Sequence, residues 1–438
     1  MKIELKGNQN YSAVVVGIEK IQSIEGADKI AITPIFSNSI IVGKDDTPVG
    51  TKGIYFPLET SISKEFLSKN NLLRNKEENS DKNKTGFFEE NGRVKALRMM
   101  KGTVKSEGFF IPMAGIKNYI GSYKEEDFPL GLAFDTIDGK TLCKKYVLPS
   151  NQSAISGNKN ERKSVKKNKS KLVSDQFHFH IDTPQLKLKI KGLKPSDLVS
   201  ITTKIHGSSF ISAKLLCKKK LNPIEKVLKF LDINIVDSHY DYVWSSRRVL
   251  KGDIANVGKG FYDEDIWKII HDRIKDNLQD GMTIYGEVYG QLLNGKWIQK
   301  EYDYGTNPGE MDYMVYRITT TNLNGKVFEW STQQVKQYCT KLGMKSVPEL
   351  YYGTLQNYLD SRKVKWNEEN FHEILLQTLS NEYLEKDSAL CKNKVPEEGI
   401  VLRRESLDIE VWKLKSFTFL ERETKALDKG ETNVEDNQ

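Results

Sequence analysis

Residues 150–174, SNQSAISGNKNERKSVKKNKSKLVS, carry few large apolar side chains and many lysines. A stretch of this kind cannot bury enough surface to offset the entropy of ordering itself. The chain on either side must therefore build its own core. This divides the 438 residues into a first domain over 1–149, a basic flexible linker over 150–174, a second domain over 175–425 and a polar tail over 426–438. Both larger pieces lie in the usual size range of a domain. With 38% apolar and 10% aromatic residues, there is material for two cores.

No run approaches the length of uncharged apolar sequence that a membrane span requires, and the start, MKIELK, lacks the apolar centre of a signal peptide. Cys143, Cys217, Cys339 and Cys391 are scattered, with no paired spacing and no histidine at ligand distance, which argues against a zinc site or a disulfide framework. A reducing, cytoplasmic setting is expected, and a monomer. Lysine and arginine number 67 against 59 acidic residues, a net +8 that permits a polyanionic partner without requiring one.

The first domain reads as β-rich. SAVVVGIEKI, AITPIF, NSIIVG, GIYFPL and GFFIPM are short β-branched or aromatic runs separated by Gly, Pro and Asp. That rhythm fits a small OB-like β-barrel. Residues 69–92, polar and rich in Asn and Lys, read as a long mobile loop. Arg93, Lys95, Arg98, Lys101 and Lys105 alternate with apolar residues, either as a basic stripe for nucleic acid or as an ordinary solvated face.

The second domain mixes the two periodicities. LVSITTKI, SSFISAKLL, MTIYGEVYG, YMVYRI, GIVLRR and EVWKLKS read as strands, while DEDIWKIIHDRIKDNL, STQQVKQYCTKLG and ENFHEILLQTLSNEYLE show apolar residues at helical spacing. The expected class is α+β, with antiparallel strands and inserted helices. Asp182-Thr183-Pro184 reads as a helix start, and His178 and His180 as packing residues.

Five short segments carry charge or aromatic groups in places where chemistry could use them. Lys204-Ile205-His206-Gly207 joins two strand-like runs, and a lysine at such a turn can project into a cleft, though most such turns are merely solvated. Glu287 stands mid-strand between Gly286 and Gly290 with a tyrosine on either side; alone, it reads as the wet face of an edge strand. Tyr316 lies in an aromatic strand that would ordinarily be core. Glu397-Glu398 precede an aliphatic run, and Lys413 and Lys415 share one face of a strand.

Taken in order, these segments resemble the motifs of the covalent nucleotidyltransferases, which comprise ATP-dependent RNA and DNA ligases and mRNA capping enzymes. Within that superfamily the chain most resembles ATP-dependent RNA ligases, in particular the nick-sealing clade with an N-terminal OB-type domain. KIHG at 204–207 matches the nucleophile motif, Ser246-Arg247 the arginine motif, and Glu287, Tyr316, Glu398 and the Lys413/Lys415 pair the four later motifs. PEEGIVLRRE followed by VWKLKSFTFLERE is the most specific local match.

The resemblance implies an antiparallel-sheet nucleotidyltransferase domain, ATP-grasp-like as in RNA and DNA ligases. It also implies that Lys204 forms a lysyl-AMP bond from ATP. Glu398 and Glu287 would hold Mg²⁺ or Mn²⁺ or its water shell, Lys413 and Lys415 would offset charge on the α-phosphate, and Tyr316 would stack on adenine. Arg247, with Arg248 as the alternative, would meet the ribose or the incoming phosphate. His206 stands where many ligases have Asp, and it cannot replace a carboxylate in a magnesium water shell on equal terms. The expected substrate is RNA, or a duplex containing RNA, with 3′-OH and 5′-phosphate ends.

A DNA ligase or a GTP-using capping enzyme would share the chemistry, but those usually carry an OB domain after the last lysine motif, where 23 residues remain here. A non-catalytic nucleic-acid-binding protein is the third alternative.

Overall fold

The computed structural model describes residues 1–148, 171–252, 262 and 264–431. Most of the expected linker, with its basic cluster Arg162, Lys163, Lys166, Lys167 and Lys169, lies outside the described residues, as does 432–438 of the tail. The chain forms two compact units. The first comprises Met1–Leu148, Lys187–Lys191 and Phe417–Gly430, and the second the remaining described residues, chiefly Gly192–Ser416. The units are thus not contiguous in sequence, because two later segments join the first.

In the first unit the five strand-like runs become β1 (Ala13–Gly17), β2 (Ile30–Ile35), β3 (Asn38–Gly43), β4 (Lys52–Pro57) and β5 (Gly108–Pro112), and a short strand not read from the sequence, β6 (Ala133–Phe134), joins them. A four-stranded antiparallel sheet has the order β5-β4-β1-β6, and β2–β3 form a hairpin in a smaller sheet. Phe36 and Ser37, at φ 49° and 59°, make its two-residue turn with the twist that hairpins favour. Ala13, Val15, Ile54 and Phe56 alternate inward to meet helix α1 (Lys64–Lys69), capped by Ser63, and helix α2 (Ala114–Ile120).

The segment read as a mobile loop is instead pinned. Asn79, fully buried, bonds the backbone of Leu73 and Lys84, while Leu73 and Phe88 enter the core. Its polar composition hid these anchors.

The second unit contains two antiparallel sheets. Their strands are β7 (Leu198–Thr203), β8 (Ser208–Lys218), β9 (Ser238–Ser246), β10 (Met282–Gly290), β11 (Met311–Thr321), β12 (Val327–Glu329), β13 (Glu349–Thr354), β14 (Gly399–Arg404) and β15 (Glu410–Lys415). One sheet has the order β13-β7-β14-β15, the other β9-β8-β10-β11-β12. The α+β antiparallel class expected from the sequence is what forms.

Helix α3 (Ile266–Ile274) lays Ile266, Trp267, Ile270 and Ile274 on the second sheet, an i, i+4, i+8 stripe with Trp267 beside it. Helix α4 spans Thr332–Lys341. Ser331 caps Gln334 in a reciprocal box, and the chain turns at Gly343 with φ 65°. The start expected at Asp182-Thr183-Pro184 is not there: the next helical turn, Leu186–Lys189, begins later, and the Asp182 side chain pairs with Arg247.

Within this second core, His271 meets the Ser212 hydroxyl through Nδ1 at 2.6 Å and stacks on Trp244. Burial, reinforced by nearby lysines, moves the imidazole from 6.5 to about 4. The folded value is below the unfolded one, so neutral His271 contributes its full stability above the unfolded value and loses it as pH falls toward the folded one. Thermal midpoints measured from neutrality down to about pH 4 are expected to fall, and to fall less steeply in His271→Phe.

Candidate functional site

The second unit's two sheets are joined by the turn Lys204–Gly207, which leaves the end of β7 and enters β8. Its geometry leaves no room for a side chain at Gly207, where a Cβ would stand 2.4 Å from the Val288 carbonyl oxygen. The Lys204 N–H donates to the Gly399 carbonyl at 2.9 Å, tying the turn to the start of β14. Thr203 faces Ile400, and Gly399 faces Lys415 across the β14–β15 pair. This register sets side chains two hundred residues apart around one point.

That point is the Glu398 carboxylate, 2% exposed. Its Oε1 lies 2.9 Å from Lys204 Nζ and 3.4 Å from Lys415 Nζ, and its Oε2 lies 3.8 Å from His206 Nδ1. Burial alone would raise this carboxyl, but Lys204, Lys415 and His206 outweigh it and hold the group below the usual carboxylate value. Lys413, 8% exposed, is two residues from Lys415 on the same face of β15, and its N–H bonds the Pro184 carbonyl.

The second sheet contributes the other side chains. Glu287 is not on a wet edge. It sits in β10, the central strand, at 9% exposure, directly across from Ser209 of β8. Gly286 is obligatory beside it, since a Cβ there would stand 2.4 Å from the Phe210 ring. The β10–β11 register shifts at this place and leaves Tyr316 as the extra residue of a β-bulge, a device that re-aims a side chain. The Tyr316 hydroxyl lies 3.4 Å from Ser209 Oγ, and burial followed by the Glu287 charge pushes it far above its usual range.

Arg247 follows β9, half-buried against Asp182, whereas Arg248 is exposed. The structure thus separates two arginines that the sequence left equivalent.

Two participants were missed. Asp182 orients Arg247 rather than capping a helix. His180, read as packing, stands edge-on to Tyr316 at 5.4 Å, with its Nδ1 buried and without a hydrogen bond among the described residues. Burial first, then the charges of Arg317, Arg247 and Lys204, lower it to about 3, so it is neutral at physiological pH. Nothing in the alternating FHFH at 177–180 separates these roles.

In the first unit, the basic stripe is not a free face. Arg93 is buried, Lys95 pairs with Asp428 at 2.9 Å, and Arg98 pairs with Glu421 at 2.9 Å, both acids lying on the helix Phe417–Asp428. Alternating cations seen in one segment say nothing of acids supplied more than 300 residues later.

Among the described residues, no three His, Cys, Asp or Glu side chains gather as a metal cage, and no helix is long and apolar enough to cross a membrane. What the site offers is an amine beside a buried carboxylate with further cations, the equipment to receive a nucleotide phosphate. Gly207→Ala is expected to destabilise the protein by about 1–3 kcal/mol through overpacking at the turn, measured by urea unfolding.

The model of the RNA ligase family matches residues 197–415, half of the chain. A search of curated proteins finds no match. Among solved structures, a variant of Naegleria gruberi RNA ligase with AMP and Mn is 15% identical with a TM-score of 0.58, covering 95% of this chain and 99% of that one. The same organism's RNA ligase with PPi is 14% identical with a TM-score of 0.56, covering 94% and 98%. At such identity these structures establish a shared fold over nearly the whole length.

Proposed function

The chain belongs to the RNA ligase family, and we propose that it is an ATP-dependent RNA ligase that joins 3′-OH and 5′-phosphate ends, acting at RNA-containing nicks as a cytoplasmic monomer. One observation carries the reading: the Lys204 amine lies 2.9 Å from Glu398 and shares that carboxylate with Lys415. The match to ligase structures solved with ATP or AMP and Mn supports ATP as the nucleotide.

In the first step Lys204 Nζ attacks the α-phosphorus of ATP. An N–P bond forms, the bond to pyrophosphate breaks, and the amine gives up a proton. In the second, a 5′-phosphate oxygen displaces Lys204 from that phosphorus, giving an adenylylated end. In the third, the RNA 3′-hydroxyl attacks the 5′-phosphate and AMP leaves. Lysine is an effective nucleophile only when unprotonated, a state favoured by desolvation and by neighbouring positive charge. Lys204 is ion-paired with Glu398, and Lys415 shares the same carboxylate oxygen.

Lys413 and Lys415 offset charge on the α-phosphate as pyrophosphate departs. Tyr316, aided by the neutral His180 beside it, offers a ring for the adenine. Arg247, held by Asp182, meets the ribose or the incoming 5′-phosphate. A divalent cation fits this donor set. Glu398 Oε2 is buried and accepts no hydrogen bond among the described residues, and Glu287 supplies a second buried carboxylate. One or two carboxylates with water and phosphate suit Mg²⁺ or Mn²⁺, and the ion would neutralise phosphate charge. His206 adds no anionic ligand, so Glu398 and Glu287 would hold the ion.

With Mg²⁺ and α-labelled ATP, label is expected to remain on the denatured protein and to be absent from Lys204→Ala. Labelling by GTP but not ATP would favour a capping-type reaction; labelling by neither would favour a non-catalytic nucleic-acid-binding protein. Nicked duplexes with RNA or DNA on each side of the break then test the substrate, and sealing is expected where the 3′-OH strand is RNA.

A further inference from the structure

The loop between β10 and β11 supplies none of the groups used above, yet it touches the nucleophile turn at three points. Buried Gln299 donates from Nε2 to the Gly207 carbonyl at 3.0 Å. The Tyr304 hydroxyl accepts the His206 N–H at 2.7 Å. The Tyr302 ring stands edge-on to the His206 imidazole, with centroids 4.7 Å apart.

The same loop reaches the other half of the site. The Tyr302 hydroxyl donates to the Pro396 carbonyl at 2.8 Å, two residues before Glu398. The loop is itself braced between these contacts. Asp303, 4% exposed, accepts the N–H groups of Gly305, Lys392 and Asn393 at 2.8, 2.9 and 2.9 Å. Tyr302 and Tyr304 are 2% and 6% exposed, so neither ring is free to reorient.

We propose that Tyr302 and Tyr304 are positioning residues for the nucleotidyl-transfer step, clamping the Lys204–Gly207 turn to the segment that carries Glu398. The inference rests on Lys204 being the residue that takes up AMP. Lysine ends in a flexible four-carbon stem, so where its nitrogen can reach depends on where the turn holds its Cα. Displacements of about 1 Å at a reacting group can slow a step by about a hundredfold. Tyr304 is suited to the task because it stays neutral: burial, and then the Glu398 charge, keep its hydroxyl from ionising. Removing that hydroxyl takes away the group that accepts the His206 N–H at 2.7 Å.

The clamp fixes the turn that carries the amine, so its loss is expected to bear on attack by the amine far more than on attack by a 3′-hydroxyl on an end that already bears AMP. This separates a positioning role from general support of the fold.

Full-length Tyr304→Phe and Tyr302→Phe are compared with the unaltered protein in two assays: single-turnover labelling by α-labelled ATP with Mg²⁺, and sealing of a nick whose 5′-phosphate was adenylylated chemically. Labelling in Tyr304→Phe is expected to slow by about tenfold or more, with the half-saturating ATP concentration within about twofold. Sealing of the pre-adenylylated nick is expected to stay within about twofold of the unaltered protein. Tyr302→Phe, which keeps its ring, is expected to show the same selectivity with a smaller loss. Labelling of Tyr304→Phe at the unaltered rate would overturn the proposal, as would an equal loss in both assays that tracks a lowered thermal midpoint. An unaltered protein that neither takes label nor seals the pre-adenylylated nick would instead overturn the ligase reading, and this proposal with it.

Discussion

The site is organised by a single buried carboxylate and the cations that compensate it. Glu398 has almost no contact with water and would be strongly disfavoured as an isolated charge. Lys204, Lys415 and His206 make it tolerable, and each is delivered by a backbone constraint: the first and third by the turn after β7, the second by the β14–β15 register. A one-residue slip in that register would carry Lys413 and Lys415 to the opposite face together. The electrostatics of the site and the hydrogen bonding of the sheet therefore stabilise the same arrangement.

The turn has a second consequence. Because it passes from one sheet into the other, Lys204 stands where the two meet. The first sheet brings the charges of Glu398, Lys413 and Lys415. The second brings Glu287, Tyr316 and, at the end of β9, Arg247. The bulge at Tyr316 and the close approaches at Gly207 and Gly286 are local irregularities that ideal strands would lack, and they occur where the two contributions meet.

Charge read along the sequence misled where charge read in space did not. Arg93, Lys95 and Arg98 read as either a basic stripe or a solvated face, and their partners proved to be acids of the helix after Lys415. Asp182 looked like a cap and proved to be the partner of Arg247. By contrast, the Ser331 cap and the turn at Gly343 depend only on residues within one turn of them.

From the sequence alone came the antiparallel α+β class, the existence of most strands and helices, and the motif order that placed Lys204, Glu287, Tyr316, Glu398, Lys413 and Lys415 in one family pattern. These are encoded locally, in periodicity, in turn residues and in short motifs. The tertiary structure alone decided which ions pair, which of Arg247 and Arg248 is held, that His180 lies against Tyr316, and that the loop carrying Tyr302 and Tyr304 contacts the Lys204–Gly207 turn. Each of those depends on segments tens to hundreds of residues apart meeting with a definite register and burial. Side-chain chemistry written in one dimension does not specify which groups will share a low-dielectric space.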